Sequence, residues 1–181
     1  MSDYFTVNVR GLIETGSFPG NVSLMTQYEF YQGPDWLLID GNNGGLSAFC
    51  QKTHQDKHVV WNLPFNTTFQ SCNISGWPQI ILTMYGLDFL GRQIPKGFGA
   101  IHIPLQSGTF TKTIELYRPI SSSFITSIRS FFSGRPVEFT DPTFPAKTAG
   151  QEVVRTKSCG SITVTFNVTT RGVGKCGYML E

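Results

Sequence analysis

Apolar and polar residues alternate strictly between Ser161 and Thr170, and this pattern constrains the fold more than any other feature of the chain. Successive side chains of a β-strand point to opposite faces of a sheet, so a period of two indicates a strand with one buried face. The predicted buried face carries Ile162, Val164, Phe166 and Val168, and the opposite face carries Ser161, Thr163, Thr165 and Asn167. The chain is therefore expected to contain sheets that pack on one another.

Several other segments have the same β-prone character and are separated by glycine, proline and asparagine. They predict strands over Tyr4–Arg10, Thr26–Tyr31, Leu46–Cys50, Val59–Leu63, Thr67–Gln70, Gln79–Tyr85, Ala100–Leu105 and Thr109–Tyr117. Gly11 is expected to end the first strand, Pro64 to divide two short strands, and the glycine–asparagine cluster at 41–45 to form a turn. The almost continuously apolar run Gln79–Tyr85 indicates a strand at the centre of the protein.

One segment has a helical pattern instead. Ser121–Ser123 offers a helix N-cap, apolar residues then recur at three- and four-residue spacing as far as Phe132, and Gly134 followed by Pro136 ends the segment. Many short strands joined by turns favour two packed antiparallel sheets. The sequence thus predicts an all-β protein, an antiparallel β-sandwich of about eight strands with one short helix.

Length and charge limit the range of partners. The 181 residues predict a single domain over 1–181, with its core between about 4 and 178. Charged residues make up only 14% of the chain, against about 25% in an average globular protein, which favours a partner that covers part of the surface. The net charge of +2 and the scattered basic residues predict no nucleic-acid partner. They still allow a small basic surface that binds anionic lipid headgroups.

The cysteines Cys50, Cys72, Cys159 and Cys176 allow two interpretations. Two disulfides, together with four Asn-x-Ser/Thr sequons, would suit a secreted carbohydrate-binding sandwich. The start Met1-Ser2-Asp3-Tyr4 lacks the basic and apolar regions of a signal peptide, which favours a cytosolic protein with free thiols.

Residues that carry catalysis or bind metals lack the required spacing. No Gly-x-Ser-x-Gly motif is present, and His54 and His58 lie in a polar segment without the glutamate of a zinc-binding helix. No Asp-x-Asp pair occurs, although Asp35, Asp40 and Asp88 could lie near one end of a sandwich and approach a calcium ion. We therefore predict no catalytic residue, no metal site and no cofactor.

Aromatic residues supply the candidate partner-binding surfaces. Trp36, Trp61 and Trp77 each lie close to a turn proline, and at least two of them are predicted to plug the edges of the sandwich. The apolar run Trp36, Leu37, Leu38 is also a candidate interface. Phe131 and Phe132 are adjacent at the end of the predicted helix, so they cannot both face the core. The segment that begins at Phe132 is therefore a second candidate for partner binding. It contributes Phe132, Arg135, Phe139 and Phe144, and a simple capping of the sandwich end is its alternative role.

Short motifs in a fixed order connect the chain with a known family. They are Gly33-Pro34-Asp35-Trp36, Trp61-Asn62-Leu63-Pro64, Gly76-Trp77-Pro78-Gln79-Ile80, Tyr85-Gly86, Gly97-Phe98-Gly99-Ala100-Ile101-His102-Ile103-Pro104, Gly134-Arg135-Pro136 and Thr140-Asp141-Pro142. From about Phe5 to Tyr178 the chain resembles the B9-domain family of ciliary transition-zone proteins. The resemblance implies a C2-like β-sandwich without catalytic residues.

The resemblance also implies a role as a non-catalytic scaffold subunit. Its implied partners are other B9-domain proteins, namely the second B9-domain-containing protein and the Meckel syndrome type 1 protein. Together they form the Meckel-syndrome/tectonic-like complex, which is needed for cilium assembly and for the membrane diffusion gate. The implied location is the cytoplasm and cytoskeleton, at the cilium basal body and transition zone. The alternative function is a calcium-independent phospholipid-binding C2-like module, with anionic membrane lipid as the partner.

Overall fold

The computed structural model describes residues 4–20, 23–52, 58–119 and 156–178. These residues form ten strands and one short 3₁₀ helix. The strands are β1 (Phe5–Ser17), β2 (Ser23–Tyr31), β3 (Leu37–Gly41), β4 (Gly44–Leu46), β5 (Cys50–Gln51), β6 (His58–Ser71), β7 (Gln79–Leu87), β8 (Gln93–His102), β9 (Gly108–Pro119) and β10 (Thr156–Arg171), and the 3₁₀ helix is Val173–Cys176. The helix predicted over 121–134 lies outside the described residues.

All neighbouring strands are antiparallel and follow the order β3-β6-β1-β10-β9-β8-β7-β2-β4, with β5 beside β2. β2 lies far from β6 along this order, yet Phe30 of β2 packs against Phe65 and Phe69 of β6, with ring centroids 5.7 and 5.6 Å apart. The path of strands therefore folds over on itself into two facing layers. The protein is an antiparallel β-sandwich, as predicted.

The two layers join where β8 lies beside β9. Among the described residues, these two strands are paired at Phe98 and Tyr117. Two glycines of β8 make this close approach possible. A methyl group at Gly97 would lie 2.4 Å from Sγ of Cys159, and one at Gly99 would lie 2.7 Å from Cδ2 of Leu116. A side chain at either glycine would therefore displace a residue of a neighbouring strand.

The core follows the alternation read from the sequence. The apolar residues of β10 between Ile162 and Val168 are all buried, and their partners in β1 include the buried Val9 and Ile13. β7 is buried on both faces, since Ile80, Leu82 and Met84 lie in the core while Ile81 and Thr83 are also covered. The prediction of a central strand at Gln79–Tyr85 is therefore confirmed.

Gly11 does not end the first strand, which continues to Ser17. A methyl group at Gly11 would lie 2.2 Å from the carbonyl oxygen of Thr165 and 2.3 Å from Cζ of Phe65. Gly11 thus makes room for an aromatic ring inside the sandwich. Its function is packing, which local turn propensity does not reveal.

Pro64 likewise does not divide a strand, because β6 continues from His58 through Ser71. Pro64 pairs with Leu12 of β1, while β3 pairs with β6 only over Thr67–Gln70. Among the described residues, no strand therefore pairs with β6 at Pro64 on the side away from β1. Proline tolerates such an edge position, because it has no N–H group to donate to a neighbouring strand. The irregularity falls instead near Asn62, whose φ of 49° accompanies a register shift.

The glycine–asparagine cluster forms the predicted turn, but the turn does not join paired neighbours. β3 before it pairs with β6, whereas β4 after it pairs with β2. The turn therefore carries the chain from one layer to the other. The strand predicted over Leu46–Cys50 is also wrong in extent, because β4 ends at Leu46 and β5 begins at Cys50.

Candidate interaction surfaces

All three tryptophans anchor the sandwich, where the sequence predicted this role for at least two of them. Trp36, Trp61 and Trp77 are all buried. The Trp77 ring meets Trp36 edge to face at 5.1 Å between centroids, and its Nε1 donates to the carbonyl oxygen of Ile103 at 2.9 Å. Nε1 of Trp36 donates to the carbonyl oxygen of Ser75 at 2.8 Å. Each of these two indoles thus buries its ring while its one polar group is satisfied by backbone.

Only part of the run Trp36, Leu37, Leu38, the first predicted partner-binding surface, lies on the surface of the protein. Trp36 is 5% exposed and belongs to the core, Leu38 is partly buried against the core, and Leu37 is 63% exposed. The structure places Trp36 in the interior, so only the segment that it anchors remains a candidate surface. Phe132, Arg135, Phe139 and Phe144 lie outside the described residues.

Leu37 belongs to β3, the strand at one edge of the sheet. The next outward residue, Ile39, is 46% exposed. A register shift between Leu38 and Asp40 makes Ile39 a bulge residue against β6. Proteins usually protect exposed edges with charges, bulges or a covering element, because unpaired strand backbone invites a second chain. An edge with two exposed apolar side chains is therefore a surface that another domain could cover.

A polar groove of about 340 Å³ lies on the outer face of β6, β1 and β10. Its lining residues are Thr6, Asn8, Arg10, Thr68, Asn167, Thr169 and Arg171. Within it, Nδ2 of Asn8 donates to Oγ1 of Thr68 at 2.8 Å. These lining side chains include no carboxylate, imidazole or thiol, which are the usual bases and nucleophiles of enzymes. The threonine hydroxyls of the groove therefore have no carboxylate or imidazole among its lining side chains to act as their base.

The acids considered for calcium do not share one end of the sandwich. Asp35 lies beside the end of β6, where its Oδ2 accepts from Nδ2 of Asn73, whereas Asp88 follows the opposite end of β7. The expectation that Asp35, Asp40 and Asp88 could lie together is wrong, because β7 separates Asp88 from the other two. Within residues 4–20, 23–52, 58–119 and 156–178, no three His, Cys, Asp or Glu side chains form a potential metal site.

Asp88 instead organises the loop between β7 and β8. Its Oδ1 accepts the N–H groups of Leu90 and Arg92, both at 2.8 Å, and its Oδ2 accepts Nε of Arg92 at 3.0 Å. The backbone N–H and the guanidinium of Arg92 hold the pKa of this carboxyl below its ordinary value. At the tip of the loop, Phe89 is 92% exposed and Leu90 is 61% exposed.

The cysteines are free thiols. Cys159 Sγ donates to the carbonyl oxygen of Leu116 at 3.4 Å, and burial raises the pKa of its thiol. A thiol with a raised pKa stays protonated and is a weak nucleophile.

In the described part of the chain, no helix has the length and apolar character of a membrane-spanning segment.

With this geometry in place, the family can be identified. Residues 7–169, nearly the whole described sandwich, match the model of the B9-C2 family, which is described as ciliary basal body-associated B9 protein. The chain belongs to the B9-C2 family. Its predicted resemblance to the B9-domain family is thus confirmed.

Known B9-domain proteins are similar to this chain over most of its length. B9 domain-containing protein 1 of Xenopus laevis is 42% identical over 175 residues, which cover 96% of this chain and 88% of that protein. B9 domain-containing protein 2 of Mus musculus is 27% identical, over 72% of this chain and 74% of that protein. The tectonic-like complex member MKS1 of Mus musculus is 27% identical, over 66% of this chain and 24% of that protein.

A solved structure of a C2 domain from plant extended synaptotagmin 1 has a TM-score of 0.45 and 11% identity to this chain. The match covers 91% of this chain and 93% of that domain.

Two of the motifs that carry the resemblance to B9 proteins, those that begin at Gly33 and Gly76, serve the fold. Gly33 and Gly76 touch, with the Gly33 N–H donating to the Gly76 carbonyl oxygen at 2.8 Å, and Trp77 follows as a buried anchor. The exposed residues Ile39, Phe89 and Leu90 lie in none of these motifs. Sequence reasoning missed the β7–β8 tip, although Phe89 and Leu90 between two predicted strands are unusually apolar for a turn.

Proposed function

We propose that this B9 protein is a non-catalytic scaffold subunit of a tectonic-like complex at the ciliary transition zone, close to the basal body. It binds other B9-domain proteins there and supports cilium assembly and the membrane diffusion gate. The observation that carries the proposal is the family match over residues 7–169. The relatives support it, because one of them is named as a tectonic-like complex member and another as a second B9-domain-containing protein.

The edge strand β3 is the surface that we assign to this contact. Leu37 and Ile39 are exposed there, while Trp36 fixes the start of the strand from inside the core. A second B9 domain could bury both side chains without any change in the core. Burying one Leu or Ile side chain contributes about 1.5–3 kcal/mol, and about 1.4 kcal/mol is a tenfold change in affinity.

A double variant with Leu37→Ser and Ile39→Ser is expected to bind the second B9-domain protein at least about tenfold more weakly than the parent. Both side chains are exposed, so the melting temperature should stay close to that of the parent. Affinity measured by titration of the purified partner checks this result. Val60→Ser is the matched control, because Val60 is 50% exposed on β6 of the same layer but lies away from β3. Equal affinities for the parent and the double variant would remove β3 from the interface.

The segment with Phe132, Arg135, Phe139 and Phe144 remains a second proposed contact. Phe132→Ser combined with Arg135→Glu is expected to weaken capture of at least one sister B9 protein while thermal stability is unchanged. The physical reason is the loss of an aromatic and a guanidinium anchor, the residue types that most often dominate interfaces. Pull-down of each sister protein separately checks the result, and normal capture of all of them by a normally folded variant would exclude this segment.

A further inference from the structure

Two arginines line the polar groove on the outer face of β6, β1 and β10, and neither is neutralised by an acid. Arg10 of β1 and Arg171 at the end of β10 are both exposed, and within the described residues neither forms a salt bridge. β6 and β10 contain no acid. The acids of β1 and β3, Glu14 and Asp40, do not line the groove, and Oε1 of Glu14 accepts from the hydroxyl of Thr165 at 2.7 Å. The groove is therefore positively charged.

Asn66 of β6 holds one end of this groove in place. Its Oδ1 accepts from Nε of Arg10 and from Nδ2 of Asn8, each at 3.3 Å. Because Nε of Arg10 is used within the protein, the terminal N–H groups of its guanidinium are left for a ligand. Such paired N–H groups bind a carboxylate in a two-pronged contact. Asn8 also donates to Oγ1 of Thr68 at 2.8 Å. These side chains are ordered before a ligand arrives, which lowers the entropic cost of binding.

The register of β1 and β10 sets the distance between the two arginines. Arg171 pairs with Thr6, and Arg10 pairs with Asn167, so the arginines lie four residues apart along the antiparallel pair. A strand rises about 3.3 Å per residue, which makes this separation roughly 13 Å along the strands. One carboxylate or phosphate group does not extend over that distance. An extended peptide with acids four residues apart matches it, and its two acids point to the same side because successive side chains alternate.

Uncharged polar groups lie between the arginines. Asn167 donates from Nδ2 to Oγ1 of Thr109 at 3.0 Å, which leaves its Oδ1 as an acceptor. Thr6 and Thr169 line the same stretch, and their hydroxyls have no hydrogen-bond partner among the described residues. Hydroxyl and amide groups can both donate to and accept from a peptide backbone. The stretch between the two positive charges is thus suited to the main chain of a ligand.

We propose that this groove binds an extended acidic peptide segment of a partner protein. Two carboxylates, four residues apart in the peptide, contact Arg10 and Arg171, and the polar side chains between them hydrogen-bond the peptide backbone. Charge complementarity and the strand-like spacing carry the proposal. It goes beyond the scaffold role, because it uses the face of the sheet, whereas the contact assigned to β3 uses the edge.

The test is fluorescence anisotropy of a labelled synthetic peptide titrated with the full chain at low ionic strength. The peptide consists of serine and threonine with two glutamates four positions apart. The parent is expected to bind it and to release it at high salt, which screens the charges. An isomeric peptide with adjacent glutamates is expected to bind about tenfold more weakly, since its carboxylates point to opposite sides of an extended chain and cannot reach both arginines.

Arg10→Gln with Arg171→Gln is expected to weaken binding of the first peptide at least about tenfold, because two charge-assisted contacts are lost. Both arginines are exposed, so the melting temperature should stay close to that of the parent. Arg118→Gln is the matched control, since Arg118 is exposed on β9 but does not line the groove. The Leu37→Ser, Ile39→Ser variant is also expected to bind the peptide normally, which separates this proposal from the β3 contact.

Three results would overturn the proposal. The first is failure of the parent to bind the peptide with spaced glutamates, and the second is equal affinity for the two isomers. The third is normal peptide binding by the Arg10→Gln, Arg171→Gln variant. If the parent binds phosphatidylserine vesicles through both arginines but binds neither peptide, the groove is a lipid contact and the peptide proposal is wrong.

Discussion

Replacement of Trp77 by alanine is expected to lower the free energy of unfolding by about 3–5 kcal/mol. The indole is buried, packs edge to face on Trp36, and donates from Nε1 to the carbonyl oxygen of Ile103. Alanine would leave a cavity beneath the loop that carries Gly76 and would also leave this carbonyl without its indole donor. Urea unfolding followed by far-UV circular dichroism measures the change, since this signal reports mainly on the backbone of the strands.

Two further variants separate packing from hydrogen bonding. Trp77→Phe keeps an aromatic ring but removes the donor to Ile103, and is expected to cost about 1–3 kcal/mol. Phe89→Ala removes an aromatic side chain that is 92% exposed, and should change stability by less than about 0.5 kcal/mol. If Trp77→Ala unfolds like the parent but fails to bind a sister B9 protein, Trp77 is an interface residue and its structural assignment is wrong.

Replacement of Gly11 by alanine is expected to destabilise the protein by about 3 kcal/mol. Alanine in place of a strand glycine is ordinarily favourable by roughly 0.5–1 kcal/mol, so the expected sign is reversed here. The new methyl group would lie 2.2 Å from the carbonyl oxygen of Thr165, and this backbone atom cannot move without displacing β10. A rotation of Phe65 alone would therefore not relieve the clash.

The matched control for Gly11→Ala is Gly174→Ala in the 3₁₀ helix, where an added methyl group meets no atom within 4 Å. This control should unfold within about 0.5 kcal/mol of the parent. Both variants are compared by urea unfolding, with the slope checked for constancy. A Gly11→Ala variant as stable as the parent would show that β1 and β10 can separate slightly, and that Gly11 is not needed for packing.

The candidate surface could be predicted only in part from the sequence. An apolar run after a turn predicts Leu37 as a candidate partner-binding residue, and its side chain is exposed as that role requires. Trp36 could not be distinguished from it, because the same run contains one residue that faces the core and one that faces solvent. The β7–β8 tip was missed, since exposure of Phe89 depends on which elements pack over the turn that Asp88 closes.

The sequence alone determined the β-sandwich class and the inner face of β10, because a period of two is a local property of each strand. It also determined the buried anchoring role of Trp61 and Trp77, since a large ring beside a turn has few other places to pack. Only the tertiary structure decided what Gly11 and Pro64 do. Glycine and proline break a strand when nothing else holds it, but here Phe65 packs over Gly11, and Pro64 lies on an edge that makes no further pairs among the described strands. Contacts between residues distant in sequence decide which strand packs over or pairs with a given residue, and local propensity carries no information about these contacts.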